Sequence, residues 1–553
     1  MSSNWDDFRK ELQEKGYLEH GKPGFFLRLG LASITPGRSL LRLGLLSSLM
    51  IAFLLSLALT ILLSLSQRIP LPQIALYYLP LLFVFALAAY GLLTAVFRLH
   101  PLKNPTRSAL FFALITAVLS SFLLFKPFHF YLPERVRPFL LILEIALLTL
   151  ILFPPLKALA FISWREPDFI RYRTPVKVLL ALLAVLALGS LIYVFLPATM
   201  PAAVQRFPLE PLDKPLAVIA VDGLSDIPDA PYLPGLADLK RQGLRIPLEA
   251  GEVMSPAVFW TQVATGFDAE VNGIVSLQAW RLPLISRNLY PLPLAGIFEA
   301  VGLARETLAS TAERVKPAFW ELASWAGRPS ACVNWWSSWP PKDPNAAVVS
   351  NLFLIQRLKG KTGTECQPID LCKAPARPAG DVTEGARWDD LSRGYVRRVS
   401  ANKDLVTAYF PGLDVDLYNS KTLDLKTSLE LGPSLRANLA GLDLLLLQLE
   451  QQGRRVLLIS SSGRQEKPWA WAAFYPKEKK ISAPKSARPE DLFPTILKAL
   501  RLPVPQNIKG HVIPVPWDLP DVSPIPAYPD LAIKSPTSGH PPIEELRSLG
   551  YLQ

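Results

Sequence analysis

Between residues 39 and 196 the chain carries apolar runs long enough to dictate its surroundings. The first is LLRLGLLSSLMIAFLLSLALTILLSLS, residues 40–66. The hydrocarbon core of a bilayer is about 30 Å thick and takes roughly 20 apolar helical residues to cross. A helix also satisfies its own backbone, which lipid cannot do for it. Five stretches answer to this, at about 40–66, 74–97, 108–125, 138–162 and 177–196. They predict a membrane domain of five transmembrane helices over residues 39–197. A cytoplasmic arm, residues 1–38, precedes it, with one short amphipathic helix at WDDFRKELQEKGYL. A cleaved signal peptide is not expected, because the first apolar run begins only near Leu40 and further spans follow.

Charge sets the expected orientation. The arm carries Arg9, Lys10, Lys15, Lys22, Arg28, Arg38 and Arg42, the second loop Arg98, Lys103 and Arg107, and the fourth Lys157, Arg165, Arg171, Arg173 and Lys177. The alternate side has Arg68, Lys126, Arg135 and Arg137. The positive-inside bias therefore predicts a multi-pass protein of a bacterial cytoplasmic membrane, with its N-terminus in the cytoplasm and everything after Pro197 outside. The net charge of +12 is concentrated in the same region. Residues 1–197 hold 19 Lys+Arg against 9 Asp+Glu, and the rest 39 against 37. The basic character follows topology signals rather than a polyanion-binding face, and no nucleic-acid partner is expected.

Residues 198–214 form a Pro-rich linker, PATMPAAVQRFPLEPLDKP, which overlaps the start of the next region. From Leu216 onward strand and helix patterns alternate. LAVIAVDG, SACVNWW, LVTAYFPG and RRVLLISSSG read as strands. PGLADLKRQG, VFWTQVATG, KPAFWELASWAG and DLFPTILKALRL read as helices. In PSLRANLAGLDLLLLQLEQQG, Leu435, Leu439, Leu442, Leu446 and Leu449 share one helical face. The alternation predicts an α/β domain over residues 215–515, a largely parallel sheet sandwiched by helices. A Pro-rich tail, residues 516–553, ends in a short helix at PIEELRSLGYLQ. Cys366 and Cys372 lie on the expected extracytoplasmic side, where a local disulfide and two free thiols both remain open. Cys332 reads as a core residue.

Several segments, in order, resemble the alkaline phosphatase superfamily, more narrowly its bacterial branch akin to type I phosphodiesterases and nucleotide pyrophosphatases. They are AVIAVDGLSD, MSPAVFWTQVATGFDAEVNGI, KPAFWELASWAGRPSACVNWWSSWPP, AYFPGLDVDLYN, LLISSSG, RPEDLFPTILKALRLPVPQNIKG and LRSLGYL. The resemblance spans residues 215–515 and the extreme C-terminus. It implies a sulfatase-like fold and hydrolysis or transfer of phosphate, phosphodiester or sulfate esters at a two-metal site, usually zinc. In such a site one ion activates a Ser or Thr oxygen and the other holds the leaving oxygen.

Carried over residue by residue, the motif is incomplete. Asp222 and Asp414 match metal-binding aspartates. Ser255 falls at the nucleophile, with one residue too many before the following glycine. Tyr418 stands where a histidine ligand belongs, Ser461 and Ser462 where Asp-His belongs, and Asn272 at the histidine of His-Gly-Ile. The five histidines are His20, His100, His129, His511 and His540, so no three can meet in the domain. No cofactor is therefore expected. A zinc pair, or a single divalent cation on Asp222 and Asp414, belongs to the enzymatic alternative.

Each residue also has a plainer reading. Asp222 can cap a turn, Asp414 and Asp416 can alternate on a short strand or turn, and Ser255 can serve as the N-cap of the helix through Trp260. Glu144, the one carboxylate inside a span, is either functional or snorkels toward Arg135 and Arg137 from about 9 Å inside the helix end. The tryptophans of VNWWSSWPP suit packing as well as ligand binding.

The preferred functional reading is a membrane-anchored pseudoenzyme that binds or scaffolds at the cell envelope. Its partners would be the membrane, other envelope proteins, or lipid and glycan headgroups. A divergent metal-dependent phosphohydrolase or phosphotransferase on such headgroups is the first alternative. A transport or assembly component centred on Glu144 is the second.

Overall fold

The structure is a computed structural model. It describes scattered residues between 45 and 63, then 71–99, 105–121 and 137–164, and with interruptions 209–531 and 543–549. Contacts divide the chain into two compact units: Met1–Ala198 with Leu282–Ala304, and Thr199–Arg281 with Arg305–Gln553.

In the first unit the helices Leu71–Leu99, Pro105–Ser120 and Arg137–Trp164 coincide with the second, third and fourth predicted spans. The described residues between 45 and 63 are helical as well. Among the described residues one helix is long and apolar enough to cross a membrane, over Leu76–Leu93, while Arg107–Ser120 and Glu144–Pro154 are shorter apolar stretches. The arm and the fifth predicted span lie outside the described residues, as does most of the linker. Glu144 accepts a hydrogen bond from Ser121 Oγ at 2.6 Å.

The unit also takes in residues 282–304, which the sequence had assigned to the α/β domain. They carry the short helix Ala295–Ala300. Tyr78 OH donates to the Pro293 carbonyl at 3.0 Å, Tyr77 OH donates to that of Pro283, and the Phe298 ring meets Tyr78 edge-on at 5.3 Å.

The second unit is built on an eight-stranded sheet. Its strands are β1 (Leu216–Asp222), β2 (Leu244–Leu248), β5 (Ser330–Val333), β6 (Ala347–Val349), β7 (Cys366–Gln367), β8 (Leu405–Phe410), β9 (Arg455–Ser461) and β10 (Ala470–Tyr475); β3 (Gln278–Arg281) and β4 (Arg305–Leu308) pair separately. The order is β2-β10-β9-β1-β8-β5-β6-β7. The central strands β9, β1, β8, β5 and β6 are parallel. β1, β8 and β9 are buried along their whole length, as unbroken apolar runs require between two helical layers. β10, β2 and β7 add antiparallel edges. β2, LRIPL, alternates buried and exposed and carries Pro247, a residue that only an edge strand tolerates.

Helix Pro433–Gln451 buries the five predicted leucines and leaves Leu444 exposed. Helix Glu384–Val399, absent from the sequence reading, buries Trp388, Tyr395, Val396 and Val399 on one face and starts at Thr383, whose hydroxyl caps Ala386 N. The domain does not stop at residue 515. Trp517 and Tyr528 are buried, donating to the carbonyls of Pro476 and Pro503, and the closing helix Ile543–Ser548 buries Leu546. Cys366 and Cys372 form a disulfide with Cα atoms 5.5 Å apart, and Cys332 is buried.

Candidate functional site

The parallel register brings the C-terminal ends of β1, β8 and β9 together, the place where such sheets put ligand-binding groups. Asp222, last in β1, lies opposite Ser461, last in β9. Val221 lies opposite Phe410, last in β8. Two residues later the chain enters helix Gly412–Asn419, which carries Asp414 and Asp416. The two aspartates therefore sit on a helix, and the strand or turn reading is corrected. Two glycines admit Asp414 to the site. A Cβ on Gly223, at φ +87°, would stand 2.9 Å from Asp414 N, and one on Gly463, at φ +60°, 2.5 Å from Asp414 Oδ1.

Asp222 is fully buried and its carboxylate is surrounded by donors. Trp260 Nε1 donates to Oδ1 at 2.9 Å, Ser461 Oγ to the same oxygen, and Tyr409 OH to Oδ2 at 2.5 Å. Trp260 packs edge-on to Trp335, with ring centres 5.6 Å apart, and Trp335 Nε1 donates to the Trp260 carbonyl at 3.1 Å. Burial, and then the charge of Asp414, push the Asp222 carboxyl up to about 7, against the pull of its three donors.

Arg464 holds Asp414 at three points. Arg464 Nε donates to Oδ2 at 2.7 Å, its backbone N–H to Oδ1 at 3.1 Å, and Nη2 to the Asp414 carbonyl at 3.2 Å. The guanidinium lies over the Tyr418 ring, 4.2 Å from its centre, and Nη1 donates to the Leu549 carbonyl. Tyr418, where the resemblance leads one to expect a histidine ligand, supports the guanidinium with its ring face. Beside this group, Asp389 Oδ1 accepts from Gly412 N at 2.8 Å, and Asp416 accepts from Thr383 Oγ1 at 2.7 Å and Gly385 N at 3.1 Å. Burial raises these two carboxyls to about 8 and about 6.

The remaining sequence candidates have local tasks. Ser460 Oγ donates to the carbonyls of Val221 and Leu224 and fixes the turn after β1. Ser462 N donates to the Trp469 carbonyl at 2.8 Å. Asn272, fully buried, donates to the Phe267 carbonyl and accepts from Ile274 N. Ser255 is exposed at the N-cap position of helix Pro256–Thr265, but its hydroxyl makes no capping hydrogen bond, so its N-cap role is corrected to a backbone one. The sequence reading missed Trp260, Tyr409 and Arg464. Only Arg464 left a trace, as the one cation immediately after the serine loop.

This donor set does not fit a zinc pair. Zinc needs free carboxylate, imidazole or thiolate lone pairs. Here both oxygens of Asp222 face protein donors, both oxygens of Asp414 face Arg464, and Ser461 is itself a donor. Among the described residues no group of three His, Cys, Asp or Glu is placed to hold a metal.

No family model matches the chain, and no curated protein matches it. Solved structures do. Phosphonoacetate hydrolase from Sinorhizobium meliloti 1021, in complex with phosphonoformate, is 15% identical with a TM-score of 0.31, over 47% of this chain and 58% of that one. The chain thus spans less than two thirds of the hydrolase. A 2-O GAG sulfatase is 10% identical with a TM-score of 0.34, over 54% of this chain and 73% of that one. Murine ectonucleotide pyrophosphatase/phosphodiesterase 5 is 13% identical with a TM-score of 0.27, over 45% and 57%. The chain's own eight-stranded, mostly parallel sheet flanked by helices is an α/β fold.

Proposed function

We propose that the chain is a membrane-anchored pseudoenzyme, an alkaline phosphatase-like domain held outside the cytoplasm that binds or scaffolds at the cell envelope rather than turning over esters. One observation carries this reading: the oxygens of Asp222 and Asp414, the retained ligand positions, are bonded to Trp260, Tyr409, Ser461 and Arg464. A metal would have to displace these donors and an arginine at once. Without a metal or an adjacent base, the exposed Ser255 hydroxyl is a poor nucleophile.

The test uses the full chain in detergent. Zinc is quantified after purification, and phosphate mono- and diesters are offered with and without added zinc. The expected result is sub-stoichiometric zinc and no turnover. Stoichiometric zinc, or turnover abolished by Ser255→Ala or Asp222→Ala, would overturn the proposal in favour of a divergent phosphohydrolase or phosphotransferase acting on lipid or glycan headgroups.

A further inference from the structure

The helical unit forms a half-open cavity of about 480 Å³, inside the roughly 300–1,000 Å³ range of ligand sites. Its cause lies in the sequence. On helix Leu71–Leu99, Leu82, Ala86, Ala89 and Leu93 recur on one face and all line the cavity. Two alanines where neighbours have large side chains leave the hollow. Leu152 and Leu156 line it from helix Arg137–Trp164, and Leu294 and Ile297 from the segment that Tyr77 and Tyr78 pin.

Among the described residues no charged side chain lines this space. Its polar lining is three hydroxyl side chains, Tyr90, Thr116 and Ser120, and Thr116 Oγ1 already donates to the Phe112 carbonyl at 2.7 Å. A polar or charged ligand would lose its water with little to replace it. The cavity also continues onto exposed apolar surface. Phe85 lines it while 46% exposed, and the same helix presents Leu76, Val84 and Leu92 at 61%, 64% and 68%. Among the described residues that helix is the one long and apolar enough to cross a membrane. In a bilayer, lipid chains would be the medium against those side chains.

We infer that this cavity is a binding site for one acyl chain of a membrane phospholipid, entering past Phe85 from the surrounding bilayer. The inference rests on the membrane anchorage proposed above. It adds a specific lipid site in the helical unit, independent of the chemistry at Asp222 and Asp414.

The experiment extracts the full chain from membranes, washes it extensively in detergent, and identifies retained lipid by native mass spectrometry. The wild type is expected to keep one phospholipid per chain. Ala86→Trp and Ala89→Trp, which fill the hollow, are expected to lower retention about tenfold. Leu92→Trp, on the exposed face, is expected to leave it unchanged. Circular dichroism confirms that each variant folds. If neither tryptophan variant folds, Ala89→Leu gives the same readout with less bulk. Equal retention in all variants, no retained phospholipid, or retention of a different apolar compound overturns the inference. Recovery of the chain in the aqueous fraction without detergent would instead overturn the anchorage.

Discussion

Arg464 Nε lies 2.7 Å from Asp414 Oδ2, and both side chains are almost withdrawn from solvent, at 10% and 3%. The guanidinium serves one carboxylate oxygen through Nε and the Arg464 backbone N–H serves the other, so the pair combines charge with two hydrogen bonds. The guanidinium also bonds the Asp414 main chain and rests on Tyr418. The positive charge that a resemblance to metal enzymes leads one to seek is covalently part of the chain.

Removing that charge should be expensive. Arg464→Ala takes the guanidinium from Asp414 while leaving the carboxylate buried near Asp222, and breaking such a pair costs about 3–5 kcal/mol. Arg464→Lys should recover only part, since an ammonium cannot bond Asp414 and Leu549 in one plane. In Arg464→Ala, Mg²⁺ or Ca²⁺ should raise the unfolding midpoint where it does nothing for the wild type, by binding the Asp414 carboxylate that has lost its guanidinium. Urea unfolding with and without the cation measures both effects. A surface-like cost below about 0.5 kcal/mol would contradict the pairing.

Stability should peak at about pH 4. Burial alone would raise Glu478, but hydrogen bonds from Arg455, the Asp518 N–H and Lys214 hold it down at about 2. Its contribution is complete above the unfolded value of 4.5 and vanishes as pH falls toward 2. Asp389 runs the other way. Burial pushes it to about 8 against the charge of Arg393, so the native state keeps a proton that the unfolded chain releases above 3.8. Asp222, at about 7, acts in the same sense. Stability is therefore lost as pH rises from about 4 to 8. The near-UV signal of buried Trp260, Trp335 and Trp388 follows this in thermal melts of the full chain. Asp389→Asn should flatten the alkaline limb, and a melting temperature that rises from pH 5 to 8 would refute the assignment.

Leu446→Ala should destabilise the α/β unit by about 2–5 kcal/mol, because the side chain is 4% exposed against the sheet. Leu444→Ala, on the same helix at 58% exposure, should cost less than about 0.5 kcal/mol. Chemical denaturation distinguishes them, and equal costs would mean that the helix presents a different face.

The proposed topology has its own check. A reporter active only outside the cytoplasm should be active when fused after Gln553 and silent at Asn104 or Glu166. The reverse pattern would place the α/β unit in the cytoplasm and remove the envelope role.

Several features follow from chain-local order alone. The unbroken apolar runs at Leu216 and Val456 specify buried strands, and the leucine spacing from Leu435 to Leu449 specifies one helical face, because side-chain periodicity belongs to the backbone itself. Those runs made the parallel sheet legible, and with it the meeting of Asp222 and Ser461 at the C-terminal ends of its central strands. Weak local signals concealed other elements. β2 was hidden by Pro247, and helix Glu384–Val399 by charged residues on its outer face. The segment 282–304 offered nothing along the chain to show that it packs with the helical unit.

Only the tertiary structure decided what surrounds the two aspartates. Trp260 comes to Asp222 from 38 residues away, Tyr409 from 187 and Ser461 from 239, while Arg464 reaches Asp414 across 50. A tryptophan, a tyrosine and an arginine carry no mark along the chain of which carboxylate they will bond. Strand register and helix packing bring them within hydrogen-bonding distance. Burial then decides the outcome, since a carboxylate removed from water must find donors or a proton. The sequence determined that no histidine stands near these aspartates along the chain, and the fold determined that Trp260, Tyr409, Ser461 and Arg464 bond them.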